Sequence, residues 1–217
     1  MKLDQSFSGL VIVGGWNSHI FNPNWIKRYL FPAEDEKLTI DIQAQFPQGF
    51  NPQFISPRIS SKDVRILLQG NKLNFIPIKD KNENLNLIQD LALQLADYLP
   101  HTPVSGYGVN FFFTENHVNE DLINLICPKD LEKIEQFGAS LTGEEYTRRL
   151  LLNEHPLNFT IGLEDKKFTF KFNFYFQIGN LAAFKGKIAE TSILELKEEA
   201  VKFLAEIYDV ELEGGIE

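Results

Sequence analysis

Between Phe168 and Phe176 every even position is Phe, with Thr169, Lys171, Asn173 and Tyr175 between them. Side chains on a strand alternate between faces, so this pattern predicts a strand with one wholly apolar side. The same period marks Leu38, Ile40, Ile42, Ala44 and Phe46, and again Tyr107, Val109, Phe111 and Phe113. Residues 10–16 read as a strand ending in Gly14-Gly15. Residues 64–68 and 73–78 flank Gly70-Asn71, a hairpin signal; residues 148–152 read as a strand, and residues 157–163 form a hairpin with the Phe-rich strand.

Helical spacing alternates with these strands. Asn22-Pro23 supplies an N-cap and a first-turn proline for a short helix carrying Trp25, Ile26 and Leu30. Leu85, Ile88, Leu91, Ala92, Leu95 and Leu99 form one apolar stripe ending at Pro100. Helical segments are expected over 122–126 and 131–137, with Gly138 as a stop. Ser192 and Glu195 have capping-box spacing ahead of Leu196, Ala200, Phe203, Leu204 and Ile207.

The order therefore repeats. Each half reads β-α-β-hairpin-α, over approximately 10–99 and 107–208, with residues 54–59, interrupted by Pro57, as an unmatched edge strand or connection. The expected fold is α+β: an internal duplication forming one compact domain, 1–217, of antiparallel sheet and helices. The halves are expected to superpose about an approximate two-fold axis.

Composition changes this picture little. Nineteen Phe against one Met point to stiff, well-packed layers, and the formal net charge is −9. An acidic chain repels phosphate backbones and anionic membranes on average, so nucleic acid and membrane partners are disfavoured. No apolar run reaches the ~20 residues of a spanning helix, and the patch from Leu10 to Val13 is too short for a signal segment. Cys127 is the single cysteine, which excludes an internal disulfide and a cysteine-built zinc site within one chain and fits a reducing cytoplasm.

Residues arranged for chemistry are scarce. Gly14-Gly15-Trp16-Asn17 lacks the spacing of a phosphate-binding loop and reads as a bulge or close backbone approach. His19, His101, His117 and His155 lack partners at metal-ligand spacing, and Cys127 sits among apolar neighbours. No catalytic pair, metal site or cofactor site is assigned. Two patches remain. Trp16, His19, Tyr107 and Asn110 would meet in a cleft if the first strands of both halves are neighbours. Lys166, Lys167, Lys171, Lys185 and Lys187 form the best basic patch.

The stretch Pro57-Arg58-Ile59-Ser60-Ser61-Lys62-Asp63-Val64-Arg65-Ile66-Leu67-Leu68-Gln69-Gly70-Asn71-Lys72-Leu73-Asn74-Phe75 resembles a segment of a sporadically distributed family of uncharacterised bacterial proteins. The order that follows it, through Leu99 and Gly106 to Phe113, is also similar. The resemblance implies a bacterial, cytoplasmic protein and supplies no site residues.

The leading expectation is a non-enzymatic cytoplasmic binding or adaptor protein, with a protein partner or a homodimer. The alternatives are a small-molecule binder or enzyme using the cleft between the repeats, and a single-stranded nucleic-acid binder using the lysine-bearing hairpin.

Overall fold

A computed structural model describes residues 1–17, 19–31, 38–45, 54–116, 122–124, 131–164 and 167–213. Its strands are β1 (Lys2–Leu3), β2 (Gly9–Gly14), β3 (Thr39–Gln45), β4 (Phe54–Ser60), β5 (Val64–Gln69), β6 (Lys72–Pro77), β7 (Val104–Glu115), β8 (Gly143–Leu152), β9 (His155–Glu164) and β10 (Lys167–Gln177). The helices are α1 (Pro23–Tyr29), α2 (Asn82–Tyr98), α3 (Leu131–Gln136), α4 (Leu181–Glu190) and α5 (Ile193–Tyr208), and Gln5–Phe7 form a 3-10 turn. This is an α+β chain with an antiparallel sheet.

The ten strands of the described residues join one sheet in the order β3-β4-β5-β6-β2-β7-β10-β9-β8, with β1 also paired to β7. The first strands of the two halves, β2 and β7, are neighbours at its centre. Outward from them, each half runs first through its last strand, β6 or β10, and then back through its hairpin.

Local chemistry sets several boundaries. Asn22 caps α1 by accepting a hydrogen bond from the Trp25 amide at 2.9 Å, with Pro23 in the first turn. Ser192 and Glu195 close a reciprocal capping box at α5. Gly70 takes a left-handed conformation (φ 58°) in the β5–β6 turn. Gly9 has φ 132°, and a Cβ there would lie 2.1 Å from the Phe75 carbonyl oxygen. Only glycine lets β2 run so close to β6.

The structure differs from the sequence reading in several elements, among them β1, the 3-10 turn and a β8 that begins at Gly143. Residues 54–60 are an internal strand, paired with β3 along its length and with β5 over Arg58 to Ser60. Pro57 lies just beyond the β5 pairing, where its missing N–H costs no hydrogen bond on that side. Residues 181–190 form helix α4, which the sequence reading did not assign. Asn180 caps it by accepting from the Ala183 amide at 2.8 Å, and Leu181, Phe184 and Ile188 bury one stripe.

The core lies between one sheet face and the helices. Phe168, Phe170, Phe172, Phe174 and Phe176 are all buried. Phe172 meets Phe203 of α5 edge-on at 5.9 Å, and Phe170 meets Tyr208 at 6.0 Å. Each fully buried side chain of this kind contributes about 1.5–3 kcal/mol. No helix among the described residues is long and apolar enough to cross a membrane.

Candidate functional site

With the even-numbered Phe row facing the helices, the odd residues of β10 stand on the opposite face. Strand register carries this division across the sheet. Asn158, Asn173 and Asn110 align on β9, β10 and β7. Asn158 donates to the Asn173 side-chain oxygen at 3.0 Å, and Asn173 donates to that of Asn110 at 2.7 Å. An amide ladder therefore crosses three strands on the face opposite the Phe row.

The neighbouring row is Thr147, Thr160, Lys171 and Phe112. The two Thr hydroxyls are 2.8 Å apart, and the Lys171 ammonium bonds the Glu145 carboxylate while lying 5.8 Å from the centre of the Phe112 ring. Phe7, 67% exposed, tilts onto Phe112 at 5.3 Å. On the other side of the ladder runs the row Arg58, Leu67, Asn74, Val11, Gly108 and Tyr175. At Gly108 the face has no side chain, and a Cβ would come within 3.0 Å of the Asn173 amide nitrogen.

Three cavities, of about 840, 420 and 550 Å³, open along this face, and Asn110 lines all of them. The largest includes Asn158, Thr160, Lys171 and Asn173. The smallest includes Arg58 and Arg65. The Arg58 Nε is buried with no hydrogen-bond partner among the described residues.

The charge distribution is asymmetric. Alternation and register place Arg58, Arg65, Lys72, Arg149, Lys167 and Lys171 on this face against Glu145 and Glu164, counting described side chains of β2 and β4–β10. The helices carry many acids, including Glu83, Asp90 and Asp97 on α2 and Glu195, Glu198, Glu199 and Glu206 on α5. Among these described strand positions, an acidic chain thus presents a net basic sheet face.

The four residues of the expected cleft do not converge. Asn110 lies on the open face. Tyr107, three positions away, projects to the helix side, stacked on Phe176 at 4.6 Å and edge-on to Phe184 at 4.9 Å. An odd offset along a strand reverses the face. Burial, with a smaller contribution from Glu190, raises the Tyr107 phenol above its ordinary pKa. Trp16 donates its indole N–H to the Ile12 carbonyl at 3.1 Å and packs on Phe21. His19 is exposed.

The basic patch also divides. Lys167 and Lys171 stand on the open sheet face, whereas Lys185 and Lys187 lie on α4, paired with Asp97 at 2.5 Å and Glu190 at 2.6 Å. Lys166, His117 and Cys127 lie outside the described residues. Among the described residues no group of three His, Cys, Asp or Glu is placed to hold a metal ion.

Sequence reading missed the site as a surface. Its members are polar positions of the strands, of which the sequence reading singled out Asn110, Lys167 and Lys171 without joining them into one surface. The available signal was their type: Asn110, Asn158 and Asn173, Thr147 and Thr160, and Gly108 at the polar strand positions. No protein-family model, curated protein or solved structure matches the chain.

Proposed function

We propose that this is a non-enzymatic binding protein whose open sheet face receives an acidic polypeptide segment. The observation that carries this reading is the half-buried amide ladder Asn158–Asn173–Asn110, which lines a cavity on the face and is flanked by the basic side chains of the same face. Primary amides both donate and accept, so they match the backbone groups of an extended chain. Lys171, Arg58 and Arg65 match its carboxylates, and Phe7, Phe112 and Tyr175 supply aromatic contact area. The acidic helices favour a partner whose negative charge is confined to the contact, since a long polyanion meets the repulsion of the whole chain.

A single-stranded nucleic acid is the second reading. It is favoured by the coexistence on one face of Lys167, Lys171 and Arg149 with aromatic rings that can stack on bases. Salt separates the two. A nucleic-acid complex weakens steeply as salt rises, along a slope set by the number of phosphates neutralised.

We further propose that the halves are an internal duplication, with β4 as an addition to the first. The matched strand order outward from β2 and β7 supports this.

The test compares capture of protein partners from native lysate by the native chain, by Lys171→Glu with Tyr175→Ala, and by Lys202→Glu on α5. The reading expects the first variant to lose the partner and the second to keep it. Loss with Lys202→Glu alone would place binding on the helices. Tight oligonucleotide binding abolished by Lys171→Glu, with no captured protein, would transfer the proposal to nucleic acid.

A further inference from the structure

The lysine-bearing strand β10 is central, bonded to β7 on one side and β9 on the other. One end of the sheet is β8, which among the described residues pairs with β9 alone. Ten residues long, it leaves one side of its backbone unpaired among the described residues, the feature that invites another strand.

Its sequence specifies which strand. Glu144-Glu145-Tyr146-Thr147-Arg148-Arg149 carries two acids, two central residues and two bases. Laid antiparallel against itself, this segment brings acid to base at both ends. Laid parallel, it brings like against like. A two-fold axis perpendicular to the sheet keeps each face on its own side, so a residue must pair with a copy of itself at the axis.

With Tyr146 at that position, Glu144 of each copy faces Arg148 of the other, on the helix side of the sheet. On the open side Glu145 lies diagonal to Arg149, and Leu151, 75% exposed, faces Leu141, 44% exposed. Arg148 already donates to the Tyr208 hydroxyl at 2.9 Å, which holds it at the helix side. Glu144 and Arg149 make no ion pair within the chain among the described residues. Cross-strand pairs of opposite charge and paired aromatics stabilise such a junction, and like charges directly opposite destabilise it.

The geometry points to a homodimer formed by antiparallel pairing of β8 with β8 of a second copy, joining two sheets into one and extending the open face across both. This is independent of what that face binds. The test is light scattering on four samples, with circular dichroism to confirm folding: the native chain, Glu144→Arg with Glu145→Arg, Arg148→Glu with Arg149→Glu, and an equal mixture of the two variants. The expected masses are dimer, monomer, monomer, and dimer restored on mixing. As a check independent of the charge changes, Tyr146→Cys on a Cys127→Ser background should give a covalent dimer with a short bis-maleimide. A monomeric native chain, a dimer that survives in both variants, no restoration on mixing, or no covalent product would each overturn the proposal.

Discussion

Lys197 of α5 donates to the Asp80 carboxylate, just before α2, at 2.8 Å, joining the two halves across 117 positions of chain. The lysine side chain is 6% exposed and the aspartate 28%, and Asn82 gives Lys197 a second acceptor at 3.3 Å. The asymmetry in burial determines what each substitution costs. Asp80→Ala strands a buried ammonium and should destabilise by about 3 kcal/mol, near the lower end for breaking a buried pair. Lys197→Met leaves a carboxylate that water can reach and should cost about 1 kcal/mol. Urea denaturation of both variants checks the order, and the reverse order would refute it.

The Phe row and its polar complement should respond differently. Phe172 is 1% exposed, so Phe172→Ala should cost about 3–5 kcal/mol. The Lys171 side chain is 45% exposed, and Lys171→Ala should stay within about 0.5 kcal/mol in the same denaturation assay.

Tyr107 gives the protein an alkaline limit. Its phenol pKa is raised first by burial and then by Glu190. A phenol raised in the folded state contributes stability that is complete below its unfolded pKa of about 10 and declines as pH rises past it. The Tyr208 hydroxyl is shifted the same way by burial, opposed by Arg148. Tyr107→Phe should therefore flatten, without abolishing, the loss of thermal stability above about pH 10. An unchanged slope would show that Tyr107 does not carry this coupling.

The core was legible because its signals are periodic and local. The alternating Phe row, the Asn22-Pro23 cap and the Ser192/Glu195 box each act within a few residues. Helix α4 was missed although Asn180 and the spacing Leu181, Phe184, Ile188 encode it, since Gly186 and two lysines dilute the stripe. The open face was hidden for a different reason. Asn110, Asn158 and Asn173 lie far apart in sequence and meet only through strand register. No local pattern records which polar strand positions register will bring together. Grouping Tyr107 with Asn110 was avoidable, because strand alternation alone sends them to opposite sides.

The most direct test of the central claim places a photo-reactive phenylalanine analogue at Tyr175, 40% exposed on the open face, and separately at Ile207, 60% exposed on α5. Irradiation in native lysate, followed by mass spectrometry, identifies what each position touches. A specific polypeptide crosslinked through its acidic segment at position 175, and absent at 207, is the predicted result. Crosslinking at 207 alone, or none at 175, would contradict an open sheet face that binds protein.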